Sequence, residues 1–170
     1  MAFMAFRTAV QEMLQKGFAV GKFSCGVYCF HHYVMQFTMC MGPSMLPTFN
    51  AAGDLVLCEH LSKHLGAIQE GDVVVSRSPT NPKQTVCKRI IGLEGAELLV
   101  PSADGGRPQF VKVPRGHVWL QGDNLANSTD SRHYGAVPAA LVQGRVFAKV
   151  YPVGEQGWVP RRDVNEYKAP

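Results

Sequence analysis

The chain has 170 residues, of which 46% are hydrophobic and 18% charged, and its formal net charge is +4. That length suits one globular domain with a terminal appendage, and the composition excludes a disordered chain. The basic excess is mild and scattered, with no dense basic stripe interleaved with aromatics, so nucleic acid is excluded as a partner.

At the N-terminus, Phe3, Phe6, Val10, Met13 and Leu14 recur at helical spacing, bracketed by Arg7 and Lys16. The run from Phe18 to Phe37 has the length of a membrane-spanning helix, roughly 20 residues. Lys22, His31 and His32 interrupt it. Residues 1–37 are therefore expected to form a helical membrane anchor, with an interfacial amphipathic helix as the alternative. A cleaved signal peptide does not fit, because no small-x-small site follows a clean apolar region.

After Phe37 the texture changes to short apolar runs separated by Gly, Pro and Asn. Strands are expected at 54–58, 72–77, 84–91, 96–100, 109–113, 117–121 and 144–151, with a helical turn at 138–142. Breakers separate them, among them Pro79-Thr80-Asn81-Pro82 and Asp104-Gly105-Gly106. Met35, Met39, Met41 and Met45 alternate as if along an extended face. The expected fold is mainly β, an antiparallel, barrel-like sheet spanning a catalytic domain at 38–155, followed by a loose polar tail at 156–170. The five cysteines Cys25, Cys29, Cys40, Cys58 and Cys87 have neither disulfide-framework nor zinc-ribbon spacing. They read as small apolar core residues, and no metal or cofactor is called for.

The most constrained stretch is Met41-Gly42-Pro43-Ser44-Met45-Leu46-Pro47-Thr48. Each proline fixes its φ, so a serine between them can be held in attack geometry without an ordering cost at each turnover. No Gly-x-Ser-x-Gly elbow exists, nor a Ser-x-x-Lys followed by Lys-Thr-Gly. A base for Ser44 is offered by Lys88, in the strand-like Gln84-Thr85-Val86-Cys87-Lys88-Arg89-Ile90-Ile91. Alternation puts Val86, Lys88 and Ile90 on one face and Thr85, Cys87 and Arg89 on the other. Among apolar neighbours a lysine loses hydration and its pKa falls, which makes it usable as a base near neutrality. The alternative is a lysine whose stem packs while its head reaches water. A third stretch, from Gly122-Asp123-Asn124 to Ser128, Asp130 and Arg132, is crowded with short polar side chains able to orient a neutral amine.

In order along the chain, Gly42-Pro43-Ser44-Met45-Leu46-Pro47-Thr48, Gly71-Asp72-Val73-Val74, Lys88-Arg89-Ile90-Ile91-Gly92-Leu93-Glu94-Gly95 and Gly122-Asp123-Asn124 through Ser131-Arg132 resemble the boxes of the type I signal peptidase family. These are Ser–Lys peptidases that cut presequences from other proteins. The resemblance implies Ser44 as nucleophile, Lys88 as general base, Ser128 as the serine that hydrogen-bonds the lysine, and Asp130 with Arg132 as a structural ion pair. Gly42 stands where some bacterial relatives have a serine that helps bind the oxyanion. Glu94, where bacterial relatives usually have Pro, and Leu125, where they usually have Arg, look mitochondrial. Asn127-Ser128-Thr129 is a glycosylation sequon inside the presumed site loop, which also fits a mitochondrial enzyme better than a lumenal one. The resemblance implies a serine endopeptidase of the mitochondrial inner membrane whose catalytic domain faces the intermembrane space. Its partners would be presequence-bearing precursor proteins, the membrane and a homologous second protease subunit, with no cofactor. The competing readings are a bacterial-type signal peptidase, a self-cleaving Ser–Lys peptidase, and a degenerate, non-catalytic assembly subunit of the same complex.

Overall fold

The structure is a computed structural model that describes residues 2–103 and 105–169, so Asp104 lies outside the described residues. The side chains of Phe3, Phe6 and Val10, expected on an apolar helical face, also lie outside them. The chain divides into two compact units, residues 1–35 and 36–170.

The first unit is a helix, α1 (Ala2–Cys29), followed by a π-helical turn over Phe30–Val34. Among the described residues no helix is long and apolar enough to cross a membrane. The expected spanning anchor is corrected on that point. The helix has the length, but Arg7, Glu12, Lys16 and Lys22 are spread along it, so every stretch long enough to span carries charge. Among its described side chains, the apolar Met13, Phe18 and Phe23 are exposed.

The second unit is mainly β. Its strands are β1 (Met35–Cys40), β2 (Asp54–Glu59), β3 (Val73–Arg77), β4 (Thr85–Gly92), β5 (Glu97–Val100), β6 (Gln109–Lys112), β7 (His117–Gln121), β8 (Val137–Pro138), β9 (Val142–Tyr151) and β10 (Gly157–Trp158). One sheet runs β1-β2-β9-β3-β4-β7-β8, with β10 beside β9, and β5 and β6 form a separate hairpin. The pairings from β2 to β8 are antiparallel. Short helices α2 (Leu61–His64) and α3 (Ser131–Tyr134) decorate the connections. The turn expected at 138–142 is a 3-10 segment, Ala139–Leu141.

Alternation decides the packing. Along β2, Asp54, Val56 and Cys58 are buried while Leu55, Leu57 and Glu59 are only partly so. In β3 both faces are covered, with Val73 and Val75 in one apolar cluster and Val74 in another. The first cluster also takes Met45 and Phe49, which plug the 41–49 loop into the core. Each such side chain contributes about 1.5–3 kcal/mol by burial.

The C-terminal stretch, expected to be loose, is packed instead. Val164 is buried in a cluster with Ile91, Leu98 and Trp119. Arg161 reaches Asp72, and the Arg162 amide donates to Gly71 O at 3.3 Å. Val159 and Tyr167 also pack partly against the core, and apolar residues scattered in this way among charged neighbours gave no periodic signal.

Candidate active site

β4 runs past its partner on one side. β7 pairs with it only from Arg89 to Gly92, so Lys88 lies where β7 has ended and the chain has turned into the 122–130 loop. Lys88 is 4% exposed and faces Val74 on β3. Its Nζ donates to Ser128 Oγ at 3.0 Å. Burial lowers the Lys88 pKa; the nearby Asp130 carboxylate opposes this and Arg132 assists it, and the net shift is downward.

Asp130 is fully buried and accepts from Arg132 Nε at 2.9 Å, Arg132 Nη2 at 3.0 Å and the Gly122 amide at 3.0 Å. Its side chain also caps α3 by accepting from the Arg132 amide. Burial acts to raise the carboxyl pKa, but the bonds from Arg132, Gly122 and Ser128 outweigh it and the net shift is down. Arg132 thereby offsets part of the negative charge that would otherwise hold a proton on Lys88.

Ser44 sits in a 3-10 turn, Pro43–Met45, that follows Gly42 at φ 109°, a conformation only glycine adopts without strain. The Gly42 amide donates to Ala51 O at 3.1 Å, so it is not free to bind an oxyanion. The Ser44 amide opens the turn, where helix starts leave donors unused. Ser44 and Lys88 line one cleft of about 620 Å³, together with Met39, Cys40, Met41 and Cys87.

The loop after β7 clamps this serine turn. The Asn124 amide donates to Ser44 O and its Nδ2 to Pro43 O, both at 3.0 Å. Gly122 lies so close that a Cβ there would overlap both Ser128 Oγ and the Ser44 carbonyl. Below, Arg89 and Asp123 form a bidentate ion pair at 2.7 and 2.8 Å, almost without solvent exposure. Thr48 Oγ1 donates to the same carboxylate at 2.6 Å, and Arg89 Nη1 donates to Gly71 O at 2.7 Å. One ion pair thus joins all four boxes read from the sequence.

Residues 15–105 and 99–151 match the family model for signal peptidase, peptidase S26. The chain belongs to the signal peptidase family. A human relative, mitochondrial inner membrane protease subunit 1, is 46% identical over 138 residues, covering 81% of this chain and 82% of its own. An Arabidopsis thaliana relative, mitochondrial ATP-independent inner membrane protease subunit 1a, is 48% identical over 150 residues, covering 86% and 89%. A Danio rerio relative, mitochondrial inner membrane protease subunit 2, is 38% identical over 112 residues, covering 66% and 60%. This member of the signal peptidase family is a peptidase, and its likeness is to the mitochondrial branch.

The structure brings together Ser44, Lys88, Ser128, Asp130 and Arg132, all singled out from the sequence. Sequence reasoning missed Thr48, Arg89, Asp123 and Asn124 as members of one scaffold. Strand alternation placed Arg89 opposite Lys88 but could not say which loop closes over that face. The Asp directly after Gly122 was a usable signal, since a carboxylate in a tight loop calls for a cation.

Proposed function

We propose that Ser44 is the nucleophile and Lys88 the general base of a membrane-associated endopeptidase that removes sorting presequences from proteins delivered to the mitochondrial intermembrane space. The observation that carries this reading is the buried Lys88 amine, its pKa lowered, bonded to Ser128 and lining the same cleft as Ser44.

The chemistry follows from the placement. Neutral Lys88 takes the Ser44 hydroxyl proton as Oγ attacks the scissile carbonyl. The resulting ammonium gives that proton to the leaving amine, and the acyl-enzyme is then opened by a water deprotonated by the same amine. Ser128 holds the amine in line, and Asp130 with Arg132 holds Ser128's loop. The Ser44 amide serves as one oxyanion donor. Gly42 contributes shape rather than a donor, since its amide is spent on Ala51.

The names of the relatives support the mitochondrial inner membrane as the location and a second, homologous subunit as partner. The catalytic unit faces the intermembrane space, where precursors bearing such presequences arrive.

The test is cleavage of a presequence peptide by wild type, Ser44→Ala, Lys88→Ala and the double variant. All three variants should be inactive to a similar degree, because the two residues act as a unit. Substantial cleavage by Ser44→Ala would remove the serine from its role.

A further inference from the structure

Cys40 and Cys87 belong to strands far apart in sheet order: β2, β9 and β3 lie between β1 and β4. In a flat sheet four strand spacings would separate them by about 19 Å. The sheet instead curls until both pack in one apolar cluster, with each thiol close enough to shift the other's pKa. Both side chains line the cleft that holds Ser44 and Lys88, and Cys87 precedes Lys88 directly. Cys58 packs in the same apolar cluster but is fully buried. Nothing in the peptidase chemistry above uses a thiol.

We propose that Cys40 and Cys87 are an oxidation site: exchange with a small-molecule disulfide entering the cleft converts them to an intramolecular disulfide that ties β1 to β4 and slows cleavage. The steps balance. The Cys40 thiolate attacks one sulfur of R–S–S–R, forming Cys40–S–S–R and releasing RS⁻, which takes up a proton. Cys87, deprotonated, then attacks the Cys40 sulfur and expels the second RS⁻. The two cysteines lose two electrons and two protons, and the small disulfide gains them as two RSH.

The order of attack follows from the surroundings. The neighbouring Cys87 thiol lowers the Cys40 pKa against the effect of burial, whereas the Cys40 thiol and burial raise that of Cys87. Burial pushes the Cys58 thiol up to about 12, which keeps it protonated and unreactive. Oxidation replaces a yielding thiol contact by a shorter covalent bridge, so the strands carrying the cleft's two walls must be drawn together. A displacement of about 1 Å at a reacting centre costs on the order of 100-fold in rate.

The loss of rate rests on the Ser44–Lys88 reading, whereas the disulfide does not. Full-length protein carrying Cys25→Ser and Cys29→Ser, which removes the exposed helix thiols, is equilibrated with oxidised glutathione. It is digested without reduction and mapped by mass spectrometry, and a parallel sample is assayed on a presequence peptide before and after dithiothreitol. The expected result is a Cys40–Cys87 linked peptide and a reduced-to-oxidised rate ratio of at least about tenfold. Cys40→Ala and Cys87→Ala should each bring that ratio to about one; since it is taken within one preparation, a change in basal rate does not enter. Glutathione adducts without a linked peptide, a link through Cys58, or a linked enzyme that keeps the reduced rate would each overturn the proposal. Cleavage surviving in Ser44→Ala would sink the site reading and leave the disulfide standing.

Discussion

Lys88 Nζ on β4 and Ser128 Oγ in the loop after β7 are 3.0 Å apart, and both side chains are buried. The bond fixes where the amine points. Its acceptor is a neutral hydroxyl, so it favours the lysine's charged state far less than a carboxylate partner would.

Ser128→Ala should therefore lower kcat by about 10-fold to 1,000-fold without abolishing cleavage, because it removes an orienting contact and not the proposed base. Steady-state kinetics on a presequence peptide measure this. A wild-type kcat in the variant would mean the bond plays no part in aligning the amine.

Gly122→Ala tests the clamp between loops. The added Cβ would overlap Ser128 Oγ and the Ser44 carbonyl, so one of them must move. A cost of about 1–3 kcal/mol in stability is expected from the crowding, with about 100-fold or more in kcat/KM from the displaced groups. Urea melts read the first and peptide cleavage the second. Unchanged kinetics would show that neither Ser128 nor Ser44 depends on this close approach.

The Arg89–Asp123 pair is buried on both sides, and Thr48 Oγ1 shares its carboxylate. Arg89→Met alone should destabilise by about 3–5 kcal/mol, since it strands a buried carboxylate. Combining it with Asp123→Leu should recover a large part of that loss, giving strong coupling in a double-mutant cycle read by urea denaturation. Additive losses would mean that the pair is not one unit.

The parts of this fold legible in the sequence were those with local patterning. Val73-Val74-Val75 and the alternation around Lys88 announced β3 and β4, and the boxes announced Ser44, Lys88 and the polar loop. β1 was only half legible: Met35 and Met39 alternate as along an extended face, but the apolar run ending at Phe37 overlaps the strand's start. Arg89 with Asp123, and Cys40 with Cys87, are close only because the sheet curls and a loop folds back, and spacing along the chain encodes neither. The anchor failed for a different reason: its length was right, but the charges along α1 leave no apolar stretch long enough to span.

The stability of Lys88→Met should run opposite to that expected for a salt-bridge lysine. Burial is the main cause that lowers the Lys88 pKa from its ordinary 10.5. Below the folded pKa the lysine is charged in both states, and the folded state bears the whole cost of burying that charge. Between the folded pKa and the unfolded value of about 10.4 the unfolded chain binds more protons, so stability rises with pH and the cost fades. Methionine has similar length and no charge to bury. Ser128 keeps a polar neighbour in the variant, because its hydroxyl also helps to lower the pKa of the Asp130 carboxyl. Lys88→Met should thus be at least as stable as wild type near pH 7, with an advantage that shrinks as pH approaches the unfolded pKa. It should be inactive throughout. Paired urea melts between pH 6 and about pH 10 measure the difference. A variant less stable than wild type, with a deficit that grows as pH falls, would make Lys88 an ion-pair partner of Asp130 rather than a base.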